Sequence, residues 1–186
     1  MAQEELLMRR VVVGNNPQSL SCVLFDSDAP NVRPDPARPG GGMVEHWCWG
    51  DPIELSKTDD LGLPPFNNSP PQFGGFLRYV RSLKMPEGYI PEEDAKAVPR
   101  HEELLNEETG HSDRGGKHAG MSAMHKTRTI DYGFLVQGER SLVLDDDELP
   151  MYPGDFCVQL GNYHAWANRT HNSIMGYVMI GADFTK

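Results

Sequence analysis

The stretch Met124–Asn168 reads MHKTRTIDYGFLVQGERSLVLDDDELPMYPGDFCVQLGNYHAWAN, and it is the part of this 186-residue chain that decides the fold. It contains two short polar strand patterns, each with one histidine. A hairpin bounded by glycine and the turn sequence Pro153-Gly154-Asp155 lie between them. Short strand patterns separated by turn residues are typical of antiparallel β structure. Histidine and aspartate, which bind metals, occur within these strand patterns. The stretch therefore also contains the candidate functional residues.

Further strand patterns lie on both sides of this stretch. Residues 9–13 and 21–26 flank the turn sequence GNNPQS and predict a hairpin. Residues 43–49, 76–83 and 173–182 predict three more strands. Glycine (19 residues) and proline (15 residues) are both frequent, which favours many turns. The sequence therefore predicts an all-β sandwich or barrel.

Residues 91–108 are the segment with a helical pattern. They open with Pro91 and three acidic residues and continue with acidic helix formers, which predicts a short helical insertion. Residues 109–120 are rich in glycine, and we interpret them as a flexible, solvated loop. Its two histidines, His111 and His118, could instead form a lid or join a site.

Composition argues against several classes of partner. The net charge of −10 disfavours nucleic acid and anionic membranes, since both bind basic surfaces. No apolar run approaches the roughly 18 residues that a membrane helix needs, and the N-terminus lacks a signal-peptide pattern. The three cysteines, Cys22, Cys48 and Cys157, are widely spaced, which predicts free thiols in a reducing, cytoplasmic setting. The expected partner is a small molecule.

A polar face distinguishes the first strand pattern. If residues 124–132 form one strand, His125, Thr127, Thr129 and Asp131 point to the same side. Inside a barrel such a face requires hydrogen-bond or metal partners, because an unpartnered buried polar group costs several kcal/mol. The face therefore predicts a functional site.

The second strand pattern places His164, Trp166 and Asn168 on one face. Two histidines and one carboxylate from neighbouring strands would form a metal site with open positions. We therefore predict that His125, Asp131 and His164 bind a divalent metal ion, for which iron, manganese, zinc, nickel and cobalt are all possible. Such a site can hold water or a chelating substrate and act as a Lewis acid. Alternatively, the histidines are hydrogen-bonded barrel residues or metal-free acid–base groups.

In these motifs the chain resembles a small single-domain cupin of the RmlC-like cupin superfamily. The motif H-x-T-x-T-x-D-Y-G starts at His125, and the motif Q-x-G-x-x-H-A-W-x-N starts at Gln159. Three glycines accompany the motifs at the family's positions: Gly120, Gly138 and Gly154. The resemblance is carried by residues 120–182, and it implies a jelly-roll β-barrel.

This resemblance implies one cupin domain over residues 1–186. Its barrel core is expected at residues 120–182, with N-terminal strands at 9–85 and the short helical insertion at 91–108. A homodimer is expected as well.

Three positions differ from the usual cupin motifs. Thr127 stands in place of the second histidine, Asp131 in place of the glutamate, and Gln159 in place of the proline. The resemblance therefore implies metal ligation by the two histidines, with Asp131 as a shorter carboxylate ligand and Thr127 as a hydrogen-bond partner. Asp131 could instead be a structural carboxylate bonded to Thr129 or Tyr132.

The resemblance implies an enzyme that acts on a small oxygenated metabolite, polyketide-like or aromatic, in secondary metabolism. The metal would polarise a carbonyl or carboxylate for non-oxidative lyase or isomerase chemistry, as in decarboxylation or dehydration. A non-haem iron oxygenase and a non-catalytic metabolite-binding barrel are the alternatives.

Six side chains are expected to act on the substrate. The catalytic group comprises His125, His164 and Tyr132, the last as a general acid or base, a role that a loop histidine could take instead. The substrate-binding group comprises Thr127, Arg128 and Trp166.

Overall fold

A computed structural model describes residues 6–55 and 58–184 of the chain. Within these residues fourteen strands carry the fold, so the all-β prediction is confirmed. The strands are β1 (Arg9–Asn15), β2 (Ser21–Asp28), β3 (Asn31–Pro34), β4 (Gly42–Trp49), β5 (Gly75–Ser82), β6 (Leu104–Asn106), β7 (His111–Asp113), β8 (His125–Lys126), β9 (Thr129–Gly138), β10 (Arg140–Val143), β11 (Glu148–Met151), β12 (Phe156–Leu160), β13 (Ala165–Ala167) and β14 (Ser173–Gly181).

The strands form one large sheet, two smaller sheets and a hairpin. The large sheet has six strands in the order β12-β9-β14-β5-β4-β3. One three-stranded sheet has the order β11-β10-β13, and the other has the order β6-β7-β8. The predicted N-terminal hairpin is present as β1 and β2, with Arg9 opposite Asp28 and Asn15 opposite Ser21. Antiparallel pairing throughout fits the many short turns that glycine and proline provide.

The core lies between the large sheet and the β11-β10-β13 sheet. Leu135, Met175 and Tyr177 project into it from β9 and β14, and Leu142 and Met151 project from β10 and β11. All five side chains are buried, and burial of a large apolar side chain stabilises a fold by about 1.5–3 kcal/mol.

This core defines the inner face of the large sheet. Residues on a strand alternate between faces, so Asp131 and Gly133 of β9 share the inner face with Leu135. In the neighbouring strand β12, Gln159 is paired with Asp131 and Cys157 with Gly133. The inner face is therefore polar at one end, where Asp131 and Gln159 lie, and apolar at the other end, where Leu135 joins the core.

The predicted first histidine strand is divided in two. β8 ends at Lys126 and β9 begins at Thr129. β8 pairs with β7, whereas β9 pairs with β12 and β14. The chain passes from one sheet to another at residues 127–128. The single strand predicted from His125 to Asp131 is therefore two strands in different sheets.

The helical insertion is reduced to one 3-10 turn, Pro91–Glu93. The predicted helix over residues 91–108 is therefore wrong beyond that turn. The Asp94 carboxylate accepts a hydrogen bond from the backbone N–H of Lys96, which favours a turn over continued helix. Pro99 lacks an N–H and disfavours helical geometry at the residue before it. Further along, β6 pairs with β7, so strand pairing overrides the local helix preference.

Cys22, Cys48 and Cys157 are all free thiols. Across residues 6–55 and 58–184, no helix combines the length and the apolar character that crossing a membrane requires.

Candidate active site

His125 and His164 face each other across the junction of two sheets. Each backbone N–H donates to the other residue's carbonyl, at N···O distances of 2.8 and 2.9 Å. Their ring centroids are 4.5 Å apart, with 51° between the ring planes. The structure thus brings together the two histidines that the sequence motifs single out.

Both imidazoles are anchored in the same way. The Nδ1 atom of His125 lies 2.8 Å from the carbonyl oxygen of Ala123, and Nδ1 of His164 lies 3.1 Å from the carbonyl oxygen of Asn162. A carbonyl can only accept a hydrogen bond, so Nδ1 carries the proton in each ring. In a neutral imidazole Nε2 then carries the lone pair. Both rings are fixed as potential bases or metal ligands through Nε2.

The surroundings favour the neutral form of both rings. Burial lowers the pKa of His125, and the hydrogen bond to the carbonyl oxygen of Ala123 offsets only part of this effect. Burial, followed by the charge of His125, lowers the pKa of His164 to about 3. Both side chains are therefore uncharged at neutral pH.

His111 is a third imidazole at this site. The sequence analysis placed it in a solvated loop and did not predict its contact with His125. It lies on β7, where Asp113 pairs with His125. The His111 and His125 rings stack with centroids 5.5 Å apart and 23° between planes. Because β7 has only three residues within a glycine-rich segment, its pattern carried no strand signal of its own. The other histidine of that segment, His118, stacks on Tyr89 instead.

A polar cluster joins the β6-β7-β8 sheet to the second histidine strand. The Glu103 carboxylate lies 3.2 Å from Nζ of Lys126, the neighbour of His125. The nearby hydroxyls of Tyr163 and Ser112 and the ammonium group of Lys126 lower the pKa of Glu103 to about 2. The guanidinium of Arg114 lies 3.5 Å from the centroid of the Tyr163 ring. These contacts hold the two strands that carry the histidines in register with β7.

Trp166 forms a wall of the site. Its ring meets the His164 ring edge-on, with centroids 5.9 Å apart, and meets Tyr177 at 5.8 Å. The side chain therefore separates the histidine pair from the apolar core. Thr127 is also buried, and its hydroxyl lies 2.6 Å from the hydroxyl of Thr129.

The structure does not bring Asp131 into the predicted ligand set. Among residues 6–55 and 58–184, no group of three or more His, Cys, Asp or Glu side chains is arranged to hold a metal ion. His125 and Asp131 lie on strands of different sheets, and the charge of Asp131 acts on Cys157 and Tyr177. Within the described residues, Asp131 is therefore not grouped with His125 and His164 as a third metal ligand.

Asp131 and Gln159 are instead the buried polar pair of the inner face. They are 4% and 3% exposed. Oδ1 of Asp131 and Nε2 of Gln159 each lack a hydrogen-bond partner in the protein. Burial raises the pKa of Asp131 to about 6, although a hydrogen bond from Thr129 acts in the opposite direction.

Two further predicted site residues lie away from the histidines. Tyr132 lies on the opposite face of β9 from Asp131, and its ring packs near Phe156 with centroids 6.1 Å apart. Arg128 is exposed, and its stem lies against Gly110. Arg128 lines a surface cleft of about 190 Å³. Both residues alternate along the chain with the buried side chains of Thr127, Thr129 and Asp131, so they face the opposite side.

The relatives of this chain include a fungal protein named after a biosynthetic cluster. The chain is 32% identical over 134 residues to the "Phomopsin biosynthesis cluster protein C'" of Diaporthe leptostromiformis, a match that covers 64% of this chain and 71% of the relative. No protein-family model matches the chain.

Two shorter matches are to fungal proteins with cupin names. The chain is 43% identical over 60 residues to the "Cupin-domain-containing oxidoreductase srdD" of Neurospora crassa, and the match covers 31% of each protein. It is 39% identical over 56 residues to the "Cupin-domain-containing oxidoreductase virC" of Hypocrea virens, covering 30% of this chain and 29% of the relative.

Among solved structures, the cupin domain of Schizosaccharomyces pombe Cnp3 is similar at 10% identity. The match covers 95% of this chain and 84% of that chain, with a TM-score of 0.38. At this level of similarity no functional conclusion follows.

Proposed function

Because this chain belongs to the cupin superfamily, we propose that it is an enzyme of secondary metabolism whose His125 and His164 catalyse proton transfer on a small oxygenated metabolite. The reaction class is non-oxidative lyase or isomerase chemistry, as in dehydration or decarboxylation. The observation that carries the proposal is the shared anchoring of Nδ1, which leaves Nε2 of both imidazoles as the lone-pair nitrogen.

The two imidazoles suit a proton abstraction next to a carbonyl group. Nε2 of one ring takes the proton from that carbon, and the electron pair of the C–H bond moves into an enolate. Two protonated rings 4.5 Å apart would repel each other, so one ring acts as base while the other stays neutral.

The proton balance closes without an oxidant. In a dehydration, the protonated imidazole returns its proton to the β-hydroxyl group, which leaves as water when the enolate collapses to the alkene. In a decarboxylation, one imidazole first takes the proton of the substrate carboxyl group, the C–C electron pair forms the enolate as CO2 leaves, and the resulting imidazolium returns that proton to the carbon. Both outcomes need a positioned acid and base, and proton transfer of this kind contributes about 10²- to 10⁴-fold in rate.

The surroundings of the pair support a small, partly apolar substrate. Trp166 supplies a flat apolar wall beside His164. The buried hydroxyls of Thr127 and Thr129 offer hydrogen bonds on the β9 side. Substrate contact by Thr127 and Trp166 therefore remains part of the proposal, whereas Tyr132 and Arg128 have no role in it.

The test is solvent-deuterium incorporation next to the carbonyl of β-hydroxy ketones and β-keto acids, followed by proton NMR. Exchange reports proton abstraction even where no net product accumulates. We expect His125→Gln and His164→Gln each to lower the exchange rate by about 100-fold or more. His171→Gln, at an exposed histidine, is the matched control and should leave the rate unchanged. Exchange that survives in both site variants would contradict the proposal.

A metal-dependent oxidoreductase is the second candidate, and the names of the relatives favour it. A metal held by His125 and His164 would need further ligands, and His111 is the imidazole stacked on His125. Metal analysis of protein purified without chelator, compared with His164→Ala, tests this candidate. Stoichiometric metal that is lost in the variant, together with oxygen consumption, would favour it over proton transfer.

A further inference from the structure

Asp131 and Gln159 occupy opposite positions of neighbouring strands on the inner face. They are paired in the register of β9 and β12. Side chains at such positions have Cβ atoms about 4.5–5.5 Å apart, close enough to contact one another. A carboxyl group and an amide in this arrangement could bond to each other, yet Oδ1 of Asp131 and Nε2 of Gln159 are both left without a partner.

The orientation of the Gln159 amide is fixed by its neighbours. The backbone N–H of Leu160 donates to Oδ1 of Asn162 at 3.2 Å, and Nδ2 of Asn162, its donor atom, donates to the carbonyl oxygen of Tyr163 at 3.3 Å. That Nδ2 donates to Oε1 of Gln159 at 3.4 Å. Nε2 of Gln159 is consequently the atom left facing the interior with two unused N–H groups.

The unpaired atoms are not explained by the packing around them. The two side chains are 4% and 3% exposed, so bulk water does not reach them. The residue paired with Asp131 on its other side is the apolar Met179 of β14. An unpaired buried donor and acceptor are destabilising, and side by side they are placed to bind a group that offers the complementary acceptor and donor.

We infer that Asp131 and Gln159 form a recognition subsite for a substrate group in which a hydrogen-bond donor is adjacent to a carbonyl. The substrate hydroxyl or N–H donates to Oδ1 of Asp131, and the adjacent carbonyl oxygen accepts from Nε2 of Gln159. This inference rests on the proposed function, because it defines which oxygenated metabolites the enzyme takes. Asp131 acts here as a binding residue, in place of the metal-ligand role expected from sequence.

The subsite also predicts how substrates are discriminated. A site with buried polar groups rejects an analogue that lacks their partners, because the groups are then left unpaired. Substrates with a hydroxycarbonyl or a cis-amide group should bind, and their O- or N-methylated analogues should not.

The test compares 2-pyridone, which carries an N–H next to a carbonyl, with N-methyl-2-pyridone, which lacks the donor. Binding is measured by ligand-observed NMR titration of the full chain. We expect 2-pyridone to bind at least about tenfold more tightly than its methylated analogue, the effect of one hydrogen bond. Equal affinities, or no binding of either compound, would overturn the inference.

A matched pair of variants assigns the effect to Gln159. Gln159→Met keeps the length of the side chain and removes the donor, and Gln137→Met makes the same change at an exposed position of β9. We expect the first to weaken 2-pyridone binding by about tenfold and the second to leave it unchanged. Gln159→Met should also keep or raise the melting temperature, because it removes an unpaired buried amide. A lower melting temperature with unchanged binding would show a structural amide and overturn the inference.

The same titration in His164→Gln separates this inference from the proposed function. 2-Pyridone should still bind, because His164 is not part of the subsite, while deuterium exchange should be lost. Histidine-dependent exchange without 2-pyridone binding would overturn the subsite alone. Binding that depends on Gln159, without histidine-dependent exchange, would overturn the proton-transfer proposal alone.

Discussion

His125 and His164 exchange both backbone hydrogen bonds across one antiparallel bridge, and this bridge holds their ring centroids 4.5 Å apart. The bridge joins β8 to the segment just before β13, so it also links the two smaller sheets. Each ring then reaches back two residues to a backbone carbonyl. The positions of both Nε2 atoms are therefore set by backbone structure, which is the arrangement that preorganised acid–base catalysis requires.

The first prediction concerns the tautomers of this pair. Long-range proton–nitrogen correlation of histidine-labelled protein should show Nδ1–H and an unprotonated Nε2 for both residues at pH 7. Because burial lowers both pKa values, that of His164 to about 3, the His164 signals should not titrate as the pH falls from 7 to 5. His164→Gln provides the assignment. An Nε2–H tautomer in either ring would contradict the hydrogen-bond assignment.

The second prediction concerns Asp131 and pH. Its folded pKa of about 6 lies above the usual value of 3.8, so ionisation opposes folding. The penalty is absent below about pH 4, grows through pH 6 and amounts to about 3 kcal/mol above it. In urea unfolding, Asp131→Asn should be more stable than the original chain at pH 8 and equally stable at pH 4. Asp59→Asn, at an exposed residue, is the control for the loss of a carboxylate, and a pH-independent difference for Asp131→Asn would contradict the burial argument.

The third prediction concerns Asn168, which ties the end of β13 to the core. Its Oδ1 accepts from Nε of the buried Arg140 at 3.2 Å. Its Nδ2 lies 2.8 Å from Oγ of Ser173 and 3.0 Å from two backbone carbonyl oxygens. Asn168→Ala should lower the free energy of unfolding by about 2–4 kcal/mol, because buried partners lose their hydrogen bonds. Asn15→Ala, at an exposed position, is the control in the same urea titration, and equal effects of the two changes would argue against this network.

The fourth prediction concerns Gly138, the motif glycine at the end of β9. It has a φ of +81°, and a Cβ atom there would lie 1.9 Å from the carbonyl oxygen of Asn172. Gly138→Ala should therefore cost about 1–3 kcal/mol in the free energy of unfolding. Gly50→Ala tests the same change where nothing lies within 4 Å of the added methyl group. A smaller loss at Gly138 than at Gly50 would contradict the steric argument.

The sequence was sufficient for those parts of the fold that depend on local chemistry. Turn residues and alternation located β1, β2, β4, β5 and β14, and the motif spacing identified the two histidines that meet. Asn168, the last residue of the second motif, ties the end of β13 to the core. These features depend on residues close in the chain or on motifs with fixed spacing.

Contacts between distant segments account for what the sequence missed. His111 reaches the site through the pairing of a three-residue strand, which is too short for a periodic pattern. The change of sheet at residues 127–128 was also missed, because the sequence shows no proline or glycine there. The helix beyond Glu93 failed because β6 pairs with β7. The homodimer and the cytoplasmic location remain predictions.

The most direct measurement is solvent-deuterium incorporation by protein from which divalent metals have been removed with a chelator and dialysis. If the imidazoles of His125 and His164 are themselves the acid and base, the stripped protein should retain its exchange rate to within about twofold, and added metal should not raise it. Loss of exchange on stripping, with recovery on addition of one divalent metal, would contradict imidazole catalysis and favour a metal centre at the same two residues.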